Sequence, residues 1–187
     1  MRKTPRNGAA VVESCWNRHM DVAALLLELY GRIGPLARRA VDGLDTDQLV
    51  QLPGPDTNSI GWLVWHTARV QDHHVAELLE TDQVWEQNGW SGRFRLEPDP
   101  ANIGYGHDAA DVASVKPDGP QSLLDYLAAV QSCTTKMLED LGPPDLDRIV
   151  DRRWDPPVSM GVRLVSIADD SLQHVGQACY LRGLFGW

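Results

Sequence analysis

Apolar residues recur at steps of three and four along most of the sequence, which is the period of an amphipathic helix. The first such stretch predicts a helix over residues 16–41 that ends near Gly43. A second predicted helix runs to about residue 81, and the four polar residues before it can all cap a helix N-terminus. These four residues are Asp56, Thr57, Asn58 and Ser59.

Two further helices are predicted in the second half of the chain. The third starts at Asp118 and Pro120, where proline suits the first turn, and stops at Gly142-Pro143-Pro144. The fourth runs from about 162 to 184. No segment shows sustained alternation of period two, and strand signals are limited to the short piece around Ile149 and Val150. The pattern predicts an all-α protein, a four-helix bundle whose core can host a site built from facing helices.

The stretch from 82 to 117 interrupts this periodicity between the second and third helices. It is rich in Gly, Pro and Asp, yet it carries Trp85, Trp90, Phe94 and Tyr105, which makes it too aromatic for a solvated linker. Irregular connections of this length are often lids or binding loops. We therefore expect this long irregular excursion to cover one end of the bundle, with ordinary loop packing as the alternative. The connection 143–161 can approach the same end.

Composition narrows the class of protein. The 187 residues, 43% of them hydrophobic, fit one folded domain over 1–187. No apolar run has the length of a membrane span or of a secretory signal, so we expect a cytoplasmic protein without a membrane partner. A net charge of −9 argues against nucleic-acid binding. Cys15, Cys133 and Cys179 are scattered and odd in number, which favours small reduced core residues over disulfides or a zinc finger.

The candidate chemistry lies in His66 on the second helix and in Asp170 and His174 on the fourth. Asp170 and His174 are four residues apart, about 40° around the helix, and both fall in the seam that faces the core. A charged aspartate is costly there unless it is paired or bound to a metal, whereas Asp169 points about 100° away toward solvent. Two imidazoles and one carboxylate would make an open metal site. Taken alone, the same spacing also fits a helix-surface pair and a core histidine.

Three other polar residues are candidates for supporting roles. His73 follows His66 by two turns, about 10 Å along the axis, which is too far for both to bind one ion, so we expect a supporting or packing role. His107 in GYGHD lies on a loop, where it can either reach the site or stay exposed. Gln177, about one turn beyond His174, can hydrogen-bond a ligand or a bound water.

Several motifs resemble a known family. SIGWLVWHTARV and, far downstream, DDSLQHVGQACYLRG resemble the DinB/YfiT-like superfamily, and GWSGRFRL and GYGHD are similar to its actinobacterial branch. That branch includes mycothiol-dependent S-transferases and the N-terminal domain of mycothiol-dependent maleylpyruvate isomerase. The resemblance implies a DinB-like four-helix bundle with a metal site at His66, Asp170 and His174. Many members use three histidines, so Asp170 is a departure shared with the mycothiol-dependent members.

The function implied by this resemblance is a metal-dependent thiol S-transferase. A metal-bound thiol is held as thiolate, which can attack a small electrophile, although the same ligands would also support hydrolysis by a bound hydroxide. Zinc is the expected ion, while nickel, iron and manganese stay open. The isomerase has an additional C-terminal domain that helps to form its active site, whereas this sequence ends at Trp187, just after the fourth predicted helix. We therefore expect a transferase rather than an isomerase. The alternative is a non-catalytic DinB-like protein that binds a metal or small ligand, and a homodimer is compatible with either function.

Overall fold

The structure, a computed structural model, describes residues 20–187 and is mostly helical. The helices are α1 (Val22–Gly31), α2 (Ile33–Val41), α3 (Thr46–Val50), α4 (Ile60–Leu79), α5 (Trp90–Arg93), α6 (Ala109–Ser114), α7 (Pro120–Glu139) and α8 (Met160–Phe185). Most of the helical residues belong to α1 and α2 taken together, α4, α7 and α8, and the candidate ligands lie on α4 and α8.

The first predicted helix is divided into α1 and α2 at Arg32. Pro35 explains the division, because a proline cannot donate a hydrogen bond to the carbonyl four residues earlier, here that of Gly31, and its ring crowds that carbonyl. The amide of Arg32 instead bonds the carbonyl of Leu29 at 3.3 Å. The prediction of a single helix over residues 16–41 was therefore wrong at Arg32. Residues 16–19 lie outside the described part of the chain.

Serine caps set the starts of the two helices that carry the candidate ligands. The Ser59 hydroxyl accepts from the amide of Trp62 at 3.1 Å, so Ser59 is the N-cap among the four candidates. Ser159 caps α8 in the same way through Val162. Both helices end at a residue in the left-handed conformation, Glu80 and Gly186. The predicted and observed limits of these helices agree within about two residues.

Helix α4 lies at the centre of the fold. It packs against α8 along most of its length and against α7 on another side, while α2 contacts both α7 and α8. Nearly all of α4 between Ile60 and Asp72 is buried, so its polar residues face protein rather than solvent. Within residues 20–187, no helix combines the length and hydropathy needed to cross a membrane.

The excursion from 82 to 117 is more ordered than its composition indicates. It contains a 3-10 turn at Val84–Glu86 together with α5 and α6. Its aromatic residues Trp85, Trp90 and Phe94 are buried around Tyr126 of α7, with ring centroids 5.3 to 5.9 Å away. These three rings are therefore part of the core, whereas most other residues of the excursion are exposed.

The connection between α7 and α8 contains the short strands β1 (Ile149–Asp151) and β2 (Val158–Ser159), paired antiparallel. The strand signal at Ile149 and Val150 is confirmed. Asp151, at the end of β1, accepts hydrogen bonds from Arg153 and from Arg163 of α8, both at 2.9 Å. This pair of contacts fixes the connection to the first turn of α8.

A fully buried arginine attaches the excursion to α4. The guanidinium of Arg69 donates to the backbone carbonyls of Pro100 and Asn102, each at 3.0 Å. It also donates to the side chains of Asp72, Gln83 and Tyr126 and stacks over the Trp85 ring at 4.6 Å. Because Arg69 lies one turn after His66, it holds the segment that begins at Pro100 against the part of α4 where the candidate site is found.

Candidate metal centre

The structure brings His66, Asp170 and His174 together between α4 and α8. One donor atom from each lies within 4.8 Å of the other two. Asp170 Oδ1 is 3.5 Å from His174 Nε2 and 3.9 Å from His66 Nε2, and the two imidazole centroids are 4.8 Å apart. Asp169 is instead exposed and hydrogen-bonded to Gln173 at 2.8 Å. The helical phase therefore selected the carboxylate that faces the histidines.

Hydrogen bonds on the far side of each ring determine which nitrogen is free. The Nδ1–H of His66 donates to the backbone carbonyl of Ile103, which can only accept. The Nδ1 of His174 lies 3.0 Å from Gln177 Oε1, which is also an acceptor. When a metal is bound, each ring would keep its proton on Nδ1 and direct the Nε2 lone pair toward the ion beside Asp170. Metal-ligating histidines are held in this way, with the other ring nitrogen donating to an oxygen.

Burial and the neighbouring carboxylate act differently on the two histidines. Burial lowers the pKa of His66, and the attraction of Asp170 does not overcome that effect, so this imidazole stays neutral. Burial opposes protonation of His174 as well, but its hydrogen bonds to Asp170 and Gln177 prevail and raise its pKa. The Nε2 lone pair of His66 is therefore more readily available to a cation than that of His174, where a proton competes with the metal.

The three residues fit a divalent metal. Metal bonds to nitrogen and oxygen are about 2.0–2.2 Å long, so two ligand atoms of one ion lie at most about 4.3 Å apart. Both separations from Asp170 Oδ1 satisfy this limit. Asp170 Oδ2 is buried and has no hydrogen-bond partner within residues 20–187, which is unfavourable for a carboxylate oxygen unless a cation or a water completes the site.

Trp62, one turn before His66, forms a wall of the site. Its ring stacks on His66 at 4.6 Å and 14° and meets the edge of His174 at 6.2 Å. Its indole N–H donates to Nδ1 of His107 at 3.1 Å, while Nε2 of His107 bonds Asn102 Oδ1 at 2.8 Å. Both nitrogens of His107 are thereby occupied, so this loop histidine supports the wall and does not supply a ligand.

His73 belongs to a second group, with His74 and Glu77, whose donor atoms also lie within 4.8 Å of one another. Gln83 must point its oxygen to Arg69, so its amide nitrogen donates to Nδ1 of His73 at 3.1 Å. The proton of His73 is therefore on Nε2, which faces Glu77 Oε1 at 3.6 Å. A protonated nitrogen cannot ligate a metal. This second group is a hydrogen-bonded network, and the tautomers favour only the first group as a metal site.

A cavity of about 180 Å³ opens beside His66 and Asp170 and extends along the groove between α4 and α8. Ile103 and Tyr105, from the excursion, form part of its wall. Segment 102–107 therefore covers the site as the lid hypothesis expects, and Tyr105 is the aromatic residue of that hypothesis that borders the cavity. Trp85 and Trp90 pack in the core around Tyr126 instead.

Three elements of the site were missed by reasoning from the sequence. Trp62 could have been found, because it lies four residues before His66 on the same helical face. The carbonyl of Ile103 could not, because every residue carries one. Gly104 has a positive φ of +93°, and a Cβ there would lie 2.7 Å from His66 Nδ1 and 3.0 Å from Trp62. The glycine-rich GYGHD motif is thus the one local signal of this close approach.

We expect Gly104→Ala to weaken divalent-metal binding roughly 10–100-fold, the usual cost of disturbing a partner of a metal ligand. The added methyl must displace segment 102–105, which separates the Ile103 carbonyl from His66. Gly106→Ala is the matched control, because Gly106 also has a positive φ, +76°, but its Cβ would meet no atom of the described residues within 4 Å. Calorimetric titration with Zn²⁺ measures both, and an equal loss in the two variants would contradict the proposed contact.

Comparison with known proteins gives a consistent result. Residues 33–178 match the family model of the DinB superfamily. A crystal structure described as a conserved protein of locus from Enterococcus faecalis is 32% identical and superposes with a TM-score of 0.82, covering 90% of this chain and 100% of that chain. A DinB-like protein from Bacillus cereus, 17% identical, shares the fold with a TM-score of 0.57 over 90% and 95% of the two chains. No curated protein matches this sequence.

Proposed function

This chain belongs to the DinB superfamily, and we propose that it is a metal-dependent thiol S-transferase whose metal is held by His66, Asp170 and His174. The observation that carries the proposal is the convergence of two imidazoles and one carboxylate beside a cavity that His66 and Asp170 line. We also infer that α1–α2, α4, α7 and α8 form the four-helix bundle of DinB-like proteins, with the ligands on two facing helices.

The donor set favours a catalytic rather than a closed structural metal site. Two imidazoles and one carboxylate leave coordination positions free, and zinc suits such a set, with nickel, iron and manganese as alternatives. A divalent ion held there would keep a coordinated thiol in its thiolate form at neutral pH. Neighbouring groups would support the ligands. The Ile103 carbonyl and Gln177 hold the imidazoles of His66 and His174 in their tautomers, and the Trp62 ring shields one side of the metal site from water.

The proposed substrates follow from the resemblance to the mycothiol-dependent members of the superfamily. A low-molecular-weight thiol, mycothiol or a similar compound, would occupy the cavity, and a small electrophile would approach from its open side. In the net reaction the S–H bond of the thiol and the bond from the electrophile's carbon to its leaving group break. A carbon–sulfur bond forms, and the proton departs with the leaving group, which keeps its electron pair.

The cysteines of the chain are not needed for this reaction. Cys179 donates to the Leu36 carbonyl at 3.5 Å, and burial raises the pKa of its thiol, which disfavours the nucleophilic thiolate. Cys133 is half-buried on α7, and Cys15 lies outside the described residues. The cosubstrate therefore supplies the reacting sulfur in this proposal.

We expect a variant with all three cysteines changed to alanine to keep its activity, and Asp170→Ala to lose at least about 100-fold, because the ligand set is broken. The assay follows conjugation of mycothiol to a bromobimane electrophile by the zinc-loaded protein. Activity that survives metal removal but disappears with one cysteine would indicate covalent cysteine catalysis instead. Stoichiometric metal binding without turnover would favour a non-catalytic metal-binding protein.

A further inference from the structure

A second, smaller cavity of about 80 Å³ lies where α1, α4 and α7 meet. None of its lining residues is shared with the cavity beside the metal centre. Its walls include uncharged polar side chains of α4 and α7, among them Gln71, Gln131 and Thr134, and no charged side chain within residues 20–187 lines it. Because an unpaired charge is costly to bury, this lining suits a neutral ligand.

Gln71 brings a buried acceptor without a donor to this cavity. Its side chain is fully buried, and its amide nitrogen lies 2.7 Å from the Thr134 hydroxyl. Thr134 donates its own proton to the Val130 carbonyl at 3.1 Å, so its oxygen accepts from Gln71 and fixes the orientation of the amide. Gln71 Oε1 is then left with no hydrogen-bond partner among the described residues. A buried acceptor of this kind calls for a donor from a ligand.

The break between α1 and α2 places a second acceptor at the same cavity. Gly31, the last residue of α1, lines the cavity, and its carbonyl lacks the usual helical donor because Pro35 has no amide proton. Gln131 adds a donor. Its amide nitrogen gives one proton to the Tyr30 carbonyl at 3.4 Å, and the other proton can donate into the cavity. The cavity thus combines two acceptors with one donor.

We propose that this cavity is a structural water site, in which a water donates to Gln71 Oε1 and to the Gly31 carbonyl and accepts from Gln131. A water has the two donors and the acceptor that these groups require. Buried waters make about three hydrogen bonds each, and a cavity needs only about 10–15 Å³ to hold one. The water joins α1 to α4, whereas the direct packing of α1 is mainly against α2 and α7.

The test counts bound waters in solution by oxygen-17 magnetic relaxation dispersion, which detects waters held for longer than the rotational time of the protein. We expect Gln71→Met, which keeps the length of the side chain but removes both amide atoms, to hold at least one long-lived water fewer than the unaltered protein. Gln173→Met is the matched control, since Gln173 is exposed on α8 and does not line the cavity. It should leave the count unchanged, and both variants should bind zinc as the unaltered protein does.

A crystal structure of the unaltered protein locates the water. We expect its oxygen within about 3.2 Å of Gln71 Oε1, and this observation decides the question even if Gln71→Met fails to fold. No density at that position, or equal water counts in the unaltered protein and Gln71→Met, would overturn the inference. An equal fall in Gln71→Met and Gln173→Met would do the same. An anomalous signal there after soaking in Tl⁺ would show a monovalent cation instead of a water.

Discussion

Replacing His174 by alanine is expected to reduce divalent-metal affinity by more than about 100-fold, so that the purified protein no longer retains stoichiometric metal. Loss of a mere partner of a metal ligand costs 10–100-fold, and loss of a direct ligand should cost more. The helical fold should persist, because the His174 side chain is partly exposed at the edge of the core. Elemental analysis after dialysis against Zn²⁺ measures the effect, with circular dichroism as the check on folding.

His73→Ala is the control for this experiment. It also removes one imidazole from a three-donor group, but the hydrogen bond from Gln83 places the proton of His73 on the nitrogen that faces Glu77. Metal content should therefore stay at one ion per chain. Full metal retention in His174→Ala, together with loss in His73→Ala, would assign the metal to the second group.

Arg69→Met is expected to destabilise the fold by about 3–5 kcal/mol, the usual cost of removing one partner of a buried ion pair. Arg69 is fully buried, and its loss leaves the carbonyls of Pro100 and Asn102 without their donor. Within the described part of the chain, it also leaves the carboxylate of Asp72, which is 3% exposed, with only neutral donors from Val84, Trp85 and Tyr126. Urea denaturation followed by circular dichroism measures the change in unfolding free energy.

Arg93→Met is the matched control, since Arg93 also pairs with a carboxylate, Asp125, and lies over a tryptophan ring, Trp90. Its pair is 36% and 41% exposed, so we expect less than about 1 kcal/mol. If Arg69→Met does not accumulate as folded protein, Arg69→Lys keeps the charge without the planar fork and should give an intermediate loss. Equal effects at positions 69 and 93 would contradict the anchoring role.

Arg69 stabilises the fold and also holds the segment that begins at Pro100 against the site, and a tautomer measurement can separate these two roles. Nitrogen NMR of the imidazoles distinguishes a ring protonated at Nδ1 from one protonated at Nε2. In folded Arg69→Lys, segment 100–104 should be more mobile, so the Ile103 carbonyl should accept less often from His66 and the Nε2-protonated form of His66 should increase. The tautomer of His174 should be unchanged, because Gln177 on the same helix holds it. A purely structural arginine would leave both tautomers as they are.

The sequence by itself predicted the long helices α4, α7 and α8, the polar run that contains the α4 cap, and the shared helical face of Asp170 and His174. These features are local: periodicity acts within a helix, Ser59 caps through a residue three positions away, and ligands four residues apart share a face. The choice of Asp170 over Asp169 also followed from helical phase alone. The break at Arg32 was present in the sequence as Pro35, whose effect on the carbonyl of Gly31 the apolar periodicity obscured.

Only the tertiary structure decided how His66 meets Asp170 and His174, and what holds its imidazole. The helices α4 and α8 are separated by about eighty residues, so their facing registers depend on packing rather than on a local pattern. The carbonyl that accepts from His66 belongs to Ile103, 37 residues away, and a backbone carbonyl carries no sequence signal. The excursion reaches that position because Arg69 and Asp72 hydrogen-bond its backbone and because its aromatic rings pack around Tyr126. Contacts of this kind are specified by three-dimensional proximity. Composition indicated that this segment was irregular, whereas the tertiary structure placed Trp85, Trp90 and Phe94 in the core and Ile103 and Tyr105 beside the site.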